Sequence, residues 1–132
     1  MRILIVEDDF VSRTVLTRFL APYGQSDIAS NGFEGIEAFT LALAGEGYGL
    51  VCLDIMMPGM NGQDVLKEIR DKEMQAGIPQ KKAAKIIMTT SLQAPKDVFS
   101  AFYQGGCDCY LTKPIERKTL IKHLEELGIV AL

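Results

Sequence analysis

The sequence predicts an α/β protein: a doubly wound, five-stranded parallel sheet with helices on both faces, in three αβα layers. Two observations carry that expectation. Short apolar runs alternate five times with helical stripes. Those runs are apolar throughout instead of alternating with polar residues, as strands covered on both faces are. Right-handed crossovers between successive parallel strands then wind the sheet in both directions.

Each element can be justified in order. Arg2 to Val6 is an apolar, β-branched run and reads as the first strand. Val11, Val15, Leu16, Phe19 and Leu20 form a helical stripe that Pro22-Tyr23-Gly24 ends. Ser26 to Ala29 is a short second strand, Asn31-Gly32 a turn, and Phe33 to Ala44 a helix with Ile36, Phe39, Ala42 and Leu43 inward. Three glycines punctuate the loop before the Leu50 to Asp54 strand. Gly62 to Met74 reads as a helix with Val65, Leu66 and Ile69 facing in. A polar loop through Gln80-Lys81-Lys82 precedes the fourth strand, Ala84 to Thr90. Asp97 to Gln104 reads as the fourth helix, Asp108 to Thr112 as the fifth strand, and Glu116 to Leu127 as the last helix, with Leu120, Ile121, Leu124 and Leu127 on one face.

Bulk properties narrow the function. The 132 residues fit a single domain spanning 1–132, with no linker and no output module within them, whether the chain stands alone or is part of a longer regulator. The net charge of −3 gives no electrostatic reason to expect direct nucleic-acid binding. No apolar run approaches the roughly 20 residues that span a bilayer. No signal peptide is evident, so a cytoplasmic protein without membrane contact is expected. Cys52, Cys107 and Cys109 lack a disulfide framework or a second pair of metal ligands, and read as inert thiols. His123 sits in a charged helical stretch and reads as part of a solvated face.

The strand ends are where the chemistry gathers. In open parallel sheets the functional site lies beyond the carboxyl ends of the strands. There the first strand delivers Glu7, Asp8 and Asp9, the third ends in Asp54, the fourth in Thr90-Ser91, and the fifth runs from Tyr110 into Lys113-Pro114. A lone carboxylate at the end of a buried strand needs a positive or metallic partner.

Glu7-Asp8, Asp54, Thr90 and Lys113-Pro114, in this order on five βα units, resemble the receiver domain of two-component response regulators, the CheY-like family. The resemblance covers essentially the whole chain. It implies the flavodoxin-like strand order 2-1-3-4-5, which composition and periodicity do not provide. It also implies that Asp54 is the phosphoacceptor, a carboxylate nucleophile that forms an acyl phosphate. Asp8 and Asp54 would ligate Mg²⁺, with Mn²⁺ as a substitute, Glu7 acting through water and the Met56 carbonyl completing the protein's share. Glu7 stands where the family often has aspartate. Thr90 would bond a phosphoryl oxygen and Lys113 would pair with the phosphoryl group. The Thr90–Lys113 interval is one residue longer than usual; an extra residue near Gly105-Gly106 keeps Thr90 in place, and one elsewhere gives the role to Ser91. Pro114 resembles the family's cis proline, and Tyr110 its aromatic switch.

The resemblance further implies a donor phosphohistidine on a sensor histidine kinase or histidine phosphotransfer protein. Phosphorylation would switch the face made by the fourth helix, fifth strand and last helix, which would bind a downstream partner or form a homodimer. Lys96, Asp97, Phe99, Phe102, Tyr103, Glu116, Arg117 and Lys118 fall on that face. Met56 and Leu92 flank the site and are apolar, so slow autodephosphorylation is expected of a signalling domain that is not otherwise an enzyme. Two rivals fit less well. A partner-binding receiver that is never phosphorylated would not need the full acid, hydroxyl and amine set. A phosphatase with an aspartate nucleophile needs a second aspartate two residues on, where Met56 stands.

Overall fold

A computed structural model describes residues 1–91 and 106–132. Its five strands are β1 (Arg2–Val6), β2 (Gln25–Ala29), β3 (Leu50–Asp54), β4 (Lys85–Thr90) and β5 (Cys109–Thr112). All neighbours pair in parallel, in the order β2-β1-β3-β4-β5. The described helices are α1 (Phe10–Leu20), α2 (Gly32–Ala42), α3 (Gly62–Gln75) and a C-terminal helix (Arg117–Glu126), with a 3-10 turn at Gln80–Lys82. The predicted fourth helix, with Leu92 and the Lys96, Asp97, Phe99, Phe102 and Tyr103 positions, lies outside the described residues.

Side chains leave alternate faces of a strand, so each buried strand feeds two cores. Leu4, Val6, Val51, Leu53, Ile86 and Met88 point to one side and pack under α2 and α3 with Phe39, Val65, Leu66 and Ile69. Ile3, Ile5, Leu50, Cys52, Ile87 and Leu111 point to the other and pack with Leu16 and Leu20 of α1 and with Leu120 and Leu124 of the C-terminal helix. This is the doubly wound, three-layer arrangement the apolar runs imply.

Several boundaries differ from expectation for identifiable reasons. Asn31 is no separate turn: its side chain accepts the Glu34 N–H at 2.9 Å and caps α2 directly, so the helix starts at Gly32. Val11 is exposed. It lies five residues before Leu16, roughly 140° around the helix and off the buried stripe. Ala84 precedes β4 because its N–H is bonded by Glu73 Oε2 at 2.7 Å. Asp108 precedes β5, and its carboxylate accepts the Ile86 N–H at 2.7 Å.

Candidate functional site

The carboxyl ends of β1, β3, β4 and β5 bring the predicted residues together. Glu7 follows β1, held by its N–H to the Ala29 carbonyl at 3.0 Å, and is 1% exposed. Asp8 is exposed. Asp9 caps α1, its carboxylate accepting the Ser12 N–H at 2.8 Å. Asp54 closes β3 and is 3% exposed. Carboxylate oxygens of Glu7, Asp8 and Asp54 all lie within 4.8 Å of one another.

The loop after β3 is tied down at both ends. Ile55 N–H reaches the Thr89 carbonyl at 3.0 Å, and Gly62 N–H reaches the Ile55 carbonyl at 2.9 Å. Met56 donates its N–H to Asp54 Oδ1 at 3.2 Å, while its side chain is exposed. Asn61 then caps α3 by accepting the Asp64 N–H at 3.0 Å.

Thr90 closes β4, fully buried, its hydroxyl donating to the Ser91 carbonyl at 3.3 Å. The Thr90 carbonyl accepts the Lys113 N–H at 2.6 Å, which couples the ends of β4 and β5. The Lys113-Pro114 bond is cis. Lys113 Nζ lies 2.6 Å from Glu7 Oε1 and 3.5 Å from Asp54 Oδ1. Tyr110 pairs in register with Met88 and is half-buried against the α2–α3 core.

Electrostatics follow from this packing. Burial, then the Glu7 carboxyl, pushes Asp54 up to about 7, against the opposing pull of Lys113 and the Met56 N–H. Burial alone would lower Lys113, but Glu7 and Asp54 outweigh it and hold the ammonium above its ordinary value. Three crowded carboxylates with one lysine leave negative charge uncompensated. The donor set is oxygen only, which suits a hard divalent cation such as Mg²⁺. Among the described residues no other group of carboxylates, histidines and cysteines gathers this way. Among the described residues the cysteines form no such centre, and burial raises each thiol, Cys52 to about 12, Cys107 to about 11 and Cys109 to about 12. His123 faces Glu126 at 3.6 Å on the C-terminal helix.

Two features escape a reading of the sequence. One is the preference of Lys113 for Glu7 over Asp54. The other is Gly62, whose Cα sits so close to the Asp54 and Ile55 backbone that a Cβ would come 2.5 Å from the Asp54 carbonyl oxygen. The only sequence signal for it was a glycine in the first turn of a helix, directly after a good cap.

Comparison with known proteins agrees with this geometry. The response regulator receiver domain model matches residues 3–125. The chain is 33% identical over 129 residues to the sensory/regulatory protein RpfC of Xanthomonas campestris, covering 98% of this chain and 17% of that protein. It is 37% identical over 127 residues to the regulatory protein VanRB of Enterococcus faecalis, covering 96% of this chain and 52% of that protein. It thus spans about half of one relative's length and far less of the other's. The receiver domain of the histidine kinase CKI1 from Arabidopsis thaliana superposes with a TM-score of 0.80 at 24% identity, over 95% of this chain and 89% of that one. The chain belongs to the response regulator receiver domain family.

Proposed function

We propose that this chain accepts a phosphoryl group from a phosphohistidine onto Asp54 and, once modified, switches a face for partner binding. The observation that supports this best is the setting of Asp54: a buried strand-end carboxylate with Lys113 3.5 Å away and two further carboxylates within 4.8 Å. Nothing about core packing asks for that arrangement, which leaves charge without compensation.

In the proposed reaction an Asp54 oxygen attacks phosphorus in line. The new O–P bond forms as the P–N bond to the imidazole breaks, and the departing imidazole nitrogen takes a proton. Asp8, Asp54 and the Met56 carbonyl would hold Mg²⁺, or Mn²⁺, with Glu7 bonding through water. Bound there, the cation supplies charge neutralisation on the phosphoryl oxygens. Lys113 gives a point charge to a phosphoryl oxygen. Thr90, whose hydroxyl now rests on the Ser91 carbonyl, turns to bond another. Thr90 is joined through its carbonyl to Lys113, which directly follows β5, the strand that carries Tyr110. That link offers a route from the site to the response face, whose described part includes exposed Glu116, Arg117 and Lys118. The donor would be a sensor histidine kinase or histidine phosphotransfer protein, and the recipient of the signal a downstream protein or a second copy of the chain. This reading places the chain in the cytoplasm; among the described residues no helix is long and apolar enough to cross a membrane.

The test is phosphotransfer. A histidine-phosphorylated phosphotransfer domain carrying ³²P should pass its label to the chain when Mg²⁺ is present. The label should be hydroxylamine-labile and absent from Asp54→Ala. Failure of the folded wild type to take label from phosphohistidine donors and from small phosphodonors alike would overturn the proposal.

A further inference from the structure

Lys113 has two acids within reach, and it sits on the one that is not the nucleophile. Its Nζ is 2.6 Å from Glu7 Oε1 but 3.5 Å from Asp54 Oδ1. Glu7 is committed at both oxygens. Oε2 accepts the Asp9 N–H at 3.2 Å, which anchors the start of α1. Oε1 is fully buried, and the Lys113 ammonium 2.6 Å away is its compensating charge. A buried carboxylate is not readily left without a counter-charge. Lys113 can therefore leave Glu7 only when another cation takes its place.

We propose that Glu7 is a positioning residue that draws Lys113 closer to itself than to Asp54 in the resting site, so that entry of a divalent cation among Glu7, Asp8 and Asp54 and a shift of Lys113 from Glu7 toward Asp54 are one exchange. The use then made of Lys113 rests on the phosphoacceptor reading above; the exchange itself does not. Side-chain length matters to this device. Glutamate at position 7 reaches the ammonium, whereas aspartate would fall short by one carbon–carbon bond, roughly 1.5 Å. A lysine on Glu7 competes with the cation-bound water that the same carboxylate would hold, so Lys113 should weaken cation binding through Glu7 and not merely through its long-range field.

A double-mutant cycle separates these two routes. Mn²⁺ is titrated by electron paramagnetic resonance into wild type, Glu7→Gln, Lys113→Met and the double variant, each checked for folding by circular dichroism. The exchange predicts that Lys113→Met tightens Mn²⁺ about tenfold when Glu7 is present and less than about threefold when residue 7 is glutamine. The same factor in both backgrounds means simple charge repulsion and overturns the proposal, as does a wild type that binds no Mn²⁺. If Glu7→Gln does not fold, Glu7→Asp replaces it in the cycle, with the same contrast expected because the shorter acid cannot hold the ammonium. Phosphorylation of Asp54 with an additive cycle would sink the exchange alone. A non-additive cycle in a protein never phosphorylated would sink the phosphoacceptor reading alone.

Discussion

Replacing Gly62 by alanine should damage the site far more than the fold. A Cβ there would lie 2.5 Å from the Asp54 carbonyl oxygen, 2.8 Å from Ile55 Cα and 3.1 Å from the Asp54 carbonyl carbon. Carbon and oxygen do not normally approach closer than about 3.3 Å. Something must therefore move by roughly 0.8 Å, and the atoms in the way are backbone, which no rotamer change can clear. Alanine in a helix gains at most about 1 kcal/mol over glycine. Overpacking costs about 1–3 kcal/mol. The net loss, at most about 3 kcal/mol, is small beside the 5–15 kcal/mol typical of a folded domain, so the chain stays folded. The displaced atoms, however, belong to Asp54, the proposed phosphoacceptor, and to Ile55 beside it. A misplacement near 1 Å can cost about 100-fold in a positioned reaction. Phosphorylation from a small phosphodonor with Mg²⁺, followed by intact mass against time, should be about 10- to 100-fold slower than wild type. Gly24→Ala is the control. Its Cβ meets the Met1 carbonyl at the opposite end of the sheet, so it should lower stability while keeping the wild-type rate. A wild-type rate for Gly62→Ala, or an equal slowing by Gly24→Ala, would refute the argument.

Other outcomes follow from the same geometry. Because Asp54 is raised from 3.8 to about 7, the folded state binds more protons than the unfolded one between those values. Without divalent cation, stability should fall as pH rises through that window; Asp54→Asn should flatten the profile and stabilise the protein at pH 8, read from urea titrations at each pH. Arg70 bonds Glu73 at 2.8 Å, the Ala84 carbonyl at 2.9 Å, the Gly106 carbonyl at 2.8 Å and Asp108 at 3.3 Å, so it straps α3 to the entries of β4 and β5. Arg70→Met strands the buried Glu73 and should cost about 3 kcal/mol, visible as a lower urea midpoint with unchanged slope. The raised thiols of Cys52, Cys107 and Cys109 should leave the native chain slow to react with iodoacetamide at pH 8, with three adducts forming only on unfolding.

The sheet and its two cores were legible because burial on both faces writes itself as uninterrupted apolar runs, and Leu50 to Leu53 is fully buried as that implies. Asp54, Thr90 and Lys113 were legible because each stands at a strand end, and parallel strands carry their ends to one edge. The strand order was not legible in the periodicity; it came with the family resemblance. Which acid Lys113 favours was equally hidden, since sequence gives the reach of a side chain but not its competitor. Val11 misled because it is apolar and near the stripe, though it sits on the wrong side of the helix. The Arg70–Asp108 pair and the Arg2–Asp27–Tyr48 cluster, with Asp27 Oδ2 2.8 Å from Arg2 and 2.7 Å from Tyr48, join residues far apart in the chain. No local pattern announces them.

The most direct measurement is intact mass after brief incubation with Mg²⁺ and a small phosphodonor, for wild type, wild type with EDTA, and Asp54→Ala. One phosphoryl adduct on the Mg²⁺-treated wild type, and none on the other two, is the result expected. No adduct on folded wild type under rapid quenching, or an equal adduct on Asp54→Ala, would contradict the assignment of Asp54 as the phosphoacceptor.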